Sequence, residues 1–296
     1  MELHEIAKKK FGGEAATKAA IEVFIRAMGP CANGMQWFID EFDGDFADVP
    51  ALWLTWFMKP FLDKANLIGA DLINADFANA NMKGARLGGA KLNNADLSDA
   101  NLMTADLSGA CLLMATMPHV NMQSTRCVGV NFESAQMKHA DLSLSCMDNA
   151  RLKSVDLTDA NLYKASFVKA NLKVAKLARA YLCRATLINA DMESALMDYA
   201  NLSRADFRGA NLSEANLINV TARLVTFVRA NLERANLANA NLVNANLQGA
   251  NLKEANFTDA YLKGANFTNA NLEGANFNGA NLEGANFTNA KGMPIL

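Results

Sequence analysis

Histidines and carboxylates recur at an even interval in this chain: Asp99, His119, His139 and Asp159 stand twenty residues apart, and Arg179 and Tyr199 continue the series. Imidazole nitrogens flanked by carboxylate oxygens are donor types that zinc and similar divalent ions accept. The four are therefore candidate ligands, provided the fold stacks residues that far apart. Pro118 and Val120 bracket His119, and an incidental surface pair of histidines is the simpler account, so no metal is assigned. Lys164, Arg184 and Arg204 keep the same interval, a row of cations that would meet phosphate, an acidic protein surface or water. Asp40, Glu41, Asp43, Asp45 and Asp48 crowd one stretch, but their spacing misses the D-x-D-x-D-G pattern of a calcium loop and suits a solvated connection. The cysteines Cys31, Cys111, Cys127, Cys146 and Cys183 are odd in number and irregular in spacing, which fits neither a disulfide framework nor a paired metal site. Reduced thiols follow. No Ser/His/Asp set, glycine-rich phosphate loop or cysteine cluster accompanies them, so neither a catalytic residue nor a cofactor is expected.

Whether any of these residues meet depends on the elements that carry them. From Ala65 onward the chain repeats every five residues, as in Ala65-Asn66-Leu67-Ile68-Gly69 and Ala75-Asp76-Phe77-Ala78-Asn79. Central positions run from Leu67 to Phe287 without an insertion, giving about 45 units. All centres but Cys127 and Ala222 are Leu, Met or Phe, and the residue two before is Ala except at Val120, Thr125, Val130, Ser145, Val155, Val220 and Val225. The triplet reads apolar, polar, apolar, the alternation of a very short strand with its first and third side chains inward. The next two residues are rich in Gly, Asn, Asp, Ser and Lys, which favour tight bends. A chain that turns the same way after every short strand winds round an axis and fills its own centre, which makes a solenoid.

These units match the consensus Ala-(Asp/Asn)-Leu-X-X, so the chain resembles the pentapeptide-repeat family over about three quarters of its length. The resemblance implies a mainly β fold, a right-handed quadrilateral parallel β-helix with four repeats per coil, hence about eleven coils here. Four repeats per coil would stack residues twenty apart in columns, so surface function should appear as ladders. The basic row Lys164, Arg184, Arg204 then places like charges in successive coils, at a cost unless something anionic sits there. Regularity is lost from Cys111 to Cys146 and from Asn219 to Val228, where Ala222 leaves a core position small; Met103, Leu113 and Met114 near the first of these form a candidate apolar patch.

Residues 1–60 lack the repeat and read as helices over Leu3–Lys10, Glu14–Met28 and Met35–Glu41, punctuated by Gly and Pro. A further apolar piece, Ala51–Met58, brings Trp53, Trp56 and Phe57 to the start of the rod, where they are expected to plug the core as a small α-helical N-terminal cap. The domains are thus 1–60 (cap and docking segment), 61–290 (solenoid) and 291–296 (tail). That tail is too short to cover a coil, so self-association through the C-terminal coil is expected, with Phe287, Met293, Ile295 and Leu296 contributing to a homodimer.

The whole chain carries a formal charge of only −2, from 28 basic and 30 acidic residues, so no global field draws it to nucleic acid or an anionic membrane. No uninterrupted apolar stretch approaches the roughly 18 residues of a bilayer span, and the N-terminus does not look like a secretory signal, so a cytoplasmic location is expected. A filled solenoid offers no cleft to desolvate a titratable group, which points away from catalysis. The leading expectation is a non-enzymatic protein-binding scaffold rod. The family resemblance implies an alternative, imitation of duplex DNA by a rod that binds DNA gyrase or topoisomerase IV and protects it from quinolones or peptide toxins; that asks for a dominantly negative surface. Direct nucleic-acid binding through the Lys164 ladder lacks interleaved aromatic residues for base stacking.

Overall fold

The computed structural model describes residues 62–292. The expected helices, the plug formed by Trp53, Trp56 and Phe57, the Asp40–Asp48 stretch, Cys31, and Met293, Ile295 and Leu296 lie outside the described residues.

The backbone of each five-residue unit is determined by where its N–H groups go. The centre donates to the coil above, as from Leu67 N–H to the Arg86 carbonyl at 2.7 Å, and the residue before the centre donates to the coil below, as from Arg86 N–H to the Ala65 carbonyl at 2.9 Å. Two residues past the centre, Gly69 N–H reaches the Gly88 carbonyl at 2.9 Å, and Ala70 N–H closes a turn onto the Leu67 carbonyl at 3.2 Å. One N–H per unit remains, directly after the centre, and the Asn or Asp side chain accepts it: Ala78 N–H donates to Asp76 Oδ1 at 2.9 Å and Met103 N–H to Asn101 Oδ1 at 3.1 Å. The polar residue of the consensus is thus an acceptor for the donor the coils leave over, not merely a solvated side chain.

Pairing is parallel and joins residues twenty apart, without a gap from Asn66↔Arg86 to Asn271↔Lys291. Four units therefore close one coil. The expected three-residue strands shrink to a single bridging residue each, because the turn carries the chain out of line before a second can pair. The last residue of every turn has φ near +57°, as at Asn74 (59°) and Lys164 (55°), the conformation a type II turn requires at that place. Asn, Asp and Gly suit it; Val174, β-branched at φ 49°, is strained there.

Inward side chains from Leu62 to Leu272 form one continuous buried core. Phenylalanines stack along the axis, Phe257 on Phe277 at 4.8 Å and Phe267 on Phe287 at 4.9 Å. The departures from Ala are absorbed locally. Thr125 and Ser145 are buried, yet their hydroxyls donate to the Met122 and Leu142 carbonyls at 2.7 and 2.6 Å. The turn is wider instead at Val120, Val130, Val220 and Val225, whose N–H bonds lengthen to 3.4, 3.3, 3.4 and 3.4 Å, while Val155 keeps 3.1 Å. The coil ladder passes through Ala222 unbroken. The ends differ: Leu62, Leu67 and Leu72 are wholly buried, whereas Leu282 and Phe287 of the last coil are only partly so.

Candidate functional surface

With the interior filled, every polar side chain able to act stands on a face of the coil. Open grooves mark the surface among the described residues. One, of about 650 Å³, lies among Ile188, Arg208, Val228 and Arg229; another, of about 710 Å³, among Ser143, Leu144, Tyr163 and Tyr181.

The histidine column is brought together as the spacing implied. His119 and His139 stack with ring centroids 4.9 Å apart and planes 5° from parallel. Asp159 is committed elsewhere, since Arg179 donates to both its oxygens at 2.7 Å and holds its carboxyl below the usual range. Among the described residues no group of three His, Cys, Asp or Glu side chains is placed to hold a metal ion. Cys111, Cys127, Cys146 and Cys183 are free, and burial pushes the Cys127 thiol up to about 12, leaving it unreactive.

The apolar trio is not gathered into a patch. Met103 sits half a coil from Leu113 and Met114, hence on the opposite face, and only Met114 is fully exposed; Met103 and Leu113 are half-buried. Exposure could not be read from the repeat, because the residue after the centre is half-buried in most units and exposed in others.

Several cations elsewhere are neutralised by carboxylates one coil away. Lys173 Nζ lies 2.7 Å from Glu193 and 3.3 Å from Asp191, Arg234 lies 2.8 Å from Glu254, and Lys263 lies 2.8 Å from Glu283. Asp156 is buried between Lys138 at 3.5 Å and Lys176 at 4.0 Å. Burial alone would raise its pKa, but the Thr158 hydroxyl and N–H, then the two lysines, hold its carboxyl below the usual range.

Lys164, Arg184 and Arg204 have no such partners among the described residues. They share their face with Tyr163 and Tyr181, stacked at 6.1 Å, and with Arg223; Lys164 Nζ lies 5.2 Å from the Tyr163 ring centre. Sequence reasoning found the three cations but did not set Leu144 and Leu224 on their column, which the same interval of twenty reveals, and it passed over Tyr163, Tyr181 and Arg223, which lie in neighbouring columns of the face. Tyr181 replaces the Asn or Asp found directly above and below it at Asn161 and Asn201, and its phenol is pushed up chiefly by its hydrogen bond with the Cys183 thiol.

Comparison with known proteins agrees with this architecture. A model of pentapeptide repeats matches repeatedly, at residues 62–99, 80–113, 119–153, 135–173, 175–214, 226–264 and 255–291. No curated protein matches the chain. Among solved structures, it is similar to HetL, a pentapeptide repeat protein involved in heterocyst differentiation regulation from the cyanobacterium Nostoc sp. strain PCC 7120, at 31% identity over 72% of this chain and 90% of that one (TM-score 0.38). Rfr23, a pentapeptide repeat protein from the cyanobacterium Cyanothece 51142, is 35% identical over 32% of this chain and 63% of that one (TM-score 0.29). QnrB1, a plasmid-mediated fluoroquinolone resistance protein, is 17% identical over 71% of this chain and 90% of that one (TM-score 0.27).

Proposed function

The chain belongs to the pentapeptide-repeat family, and from that premise we propose that it is a non-enzymatic scaffold that binds protein through the faces of a rigid right-handed β-helix. The observation that carries this reading is the unbroken core from Leu62 to Leu272, which leaves surface columns as the place for chemistry. A column of side chains on a stiff support presents them at one per coil, roughly 4.8 Å apart, with little ordering left to do on binding. In this reading the rod spans 61–290 in about eleven coils, residues 1–60 form a helical cap in which Trp53, Trp56 and Phe57 close the first coil, and the protein works in the cytoplasm. Among the described residues no helix is long and apolar enough to cross a membrane.

The partly exposed Leu282 and Phe287 supply a self-association surface. Two rods meeting there form a homodimer, with Met293, Ile295 and Leu296 at its margin. Sedimentation of the full chain should show a dimer that Phe287→Glu converts to a monomer with unchanged circular dichroism. A monomer at every concentration of the unaltered protein sinks the homodimer.

The second reading is a type II topoisomerase partner engaged by DNA mimicry, favoured by the carboxylates Glu193, Glu214, Glu233, Glu254 and Glu273, which share one face. Lys173 and Arg234 already neutralise two of them, which places this reading second. Gyrase supercoiling inhibited by a quinolone to the same extent with and without the protein removes it.

A further inference from the structure

One column of the rod reads Ser124, Leu144, Lys164, Arg184, Arg204, Leu224, Asn244, each residue one coil from the next. Its middle is costly in two independent ways. Leu144, Lys164, Arg184, Arg204 and Leu224 have φ of 61°, 55°, 60°, 60° and 57°, a conformation that Gly and Asn adopt with least strain. Gly84, Gly264, Gly284 and Asn244 do serve it elsewhere on this column. The three cations also face one another across successive coils, where like charges are unfavourable. Arg179, Arg234 and Lys263, by contrast, each meet a carboxylate one coil away. Further along this same face Lys263 is paired with Glu283, so the face itself does not forbid pairing.

We propose that this column docks an extended acidic polypeptide segment carrying an apolar residue at each end, a reading that rests on the scaffold function and names the chemistry of its partner. Leu144 and Leu224 are 49% and 47% exposed, and they bound the cations four coils apart, about 19 Å at the spacing of stacked strands. An extended chain crosses that distance in about six residues. Tyr181, Tyr163 and Arg223 border the column with the side chains that most often anchor protein interfaces. Carboxylates flank the strip, Asp198 just before this face and Asp148 just after it, while Asp159 and Asp206 beside them are already paired with Arg179 and Arg208. Acidic side chains beside the column disfavour a wide polyanion such as a nucleic-acid duplex more than a single extended strand lying along it. The tyrosine rings stack on each other and Lys164 lies over Tyr163, which leaves only the outer face of Tyr181 for a base, too few for the successive stacking of a single strand. A second copy of the chain fits less well, because Glu193 and Glu254 on its acidic face already hold Lys173 and Arg234.

The test is fluorescence anisotropy of the full chain with a labelled peptide of about eight residues, leucine at each end and glutamate between. Binding should weaken steeply with salt. It should fall at least tenfold in Arg184→Asn/Arg204→Asn, a replacement suited to the left-handed turn, and Leu144→Asn/Leu224→Asn should weaken it without changing the salt dependence. No binding by the unaltered protein, or equal binding by the Arg184→Asn/Arg204→Asn variant, overturns the proposal. So does tighter binding of a thymidine oligonucleotide of equal charge, or self-association lost in that variant. Sedimentation of the same samples reports the dimer separately, so a rod that dimerises yet ignores the peptide removes this proposal alone.

Discussion

Between Cys111 and Leu224 and between Ala230 and Ala290 the rod has one backbone and two kinds of surface. In the later region many of the outward polar residues are spent on the coil itself. Asn251 Nδ2 donates to Asn231 at 2.9 Å and Asn271 to Asn251 at 3.2 Å, Thr258 and Thr268 hydroxyls bond the Asn of their own unit, and Arg234 and Lys263 find carboxylates. In the earlier region Cys111, Arg126, Gln136, Cys146, Lys176, Tyr181 and Leu196 stand where Asn or Asp would accept the spare N–H, and the cations of the Lys164 column have no carboxylate partner. The backbone tolerates both, since the coil ladder is continuous throughout. A repeat can therefore lose its consensus outside without losing its shape, and the side chains released are the ones available to a partner.

The strongest way to break this comparison is through the core, which the two regions share. Phe257 stacks on Phe277 and meets Phe267 edge-on at 6.0 Å. Phe257→Ala recreates in the regular region the small centre that Ala222 already is in the irregular one. It should cost about 3–5 kcal/mol, read from the denaturant midpoint and from hydrogen exchange in the neighbouring coils. A loss near zero would mean that the centres are not what holds the coils together.

A smaller effect is expected at Asp156, an acceptor of the earlier region that is buried. Asp156→Ala leaves the Thr158 N–H, bonded at 3.1 Å in the native coil, without its acceptor and should cost about 1–3 kcal/mol. The pH dependence follows from the sign of the shift. A carboxyl held below its unfolded value of about 3.9 contributes stability that is full above that pH and is lost as pH falls through the lower folded value. Asp156→Asn keeps an acceptor and removes the charge, so it should flatten the part of the acid transition that lies below about pH 4. An unaltered acid limb in that variant would assign the transition to other carboxylates.

The smallest effect sharpens the contrast most. Arg184→Asn relieves a left-handed arginine that also faces like charges, and should raise stability by about 0.5–1 kcal/mol. Arg234→Asn, at the same place in its turn but paired with Glu254, should bring no gain. Equal gains, measured as shifts of the denaturant midpoint, would erase the distinction between a released and a committed column.

The period of five, the inward Ala and central Leu, Met or Phe, and a solenoid that fills itself were determined by the residues alone, because alternation and turn composition are local properties of a chain. The twenty-residue coil is not local. It depends on how many turns bring one unit above its own beginning, and the chain's phenylalanine spacings alone allowed more than one answer. That number decides which side chains become neighbours: it joined His119 to His139, gave Asp159 to Arg179, and separated Met103 from Met114. The acceptor role of Asn and Asp likewise appeared only with the ladder, since a residue's partner can be named only once the other donors have been satisfied. Composition describes what each unit carries, while stacking decides what each side chain faces, and the surface chemistry of this rod belongs to the second.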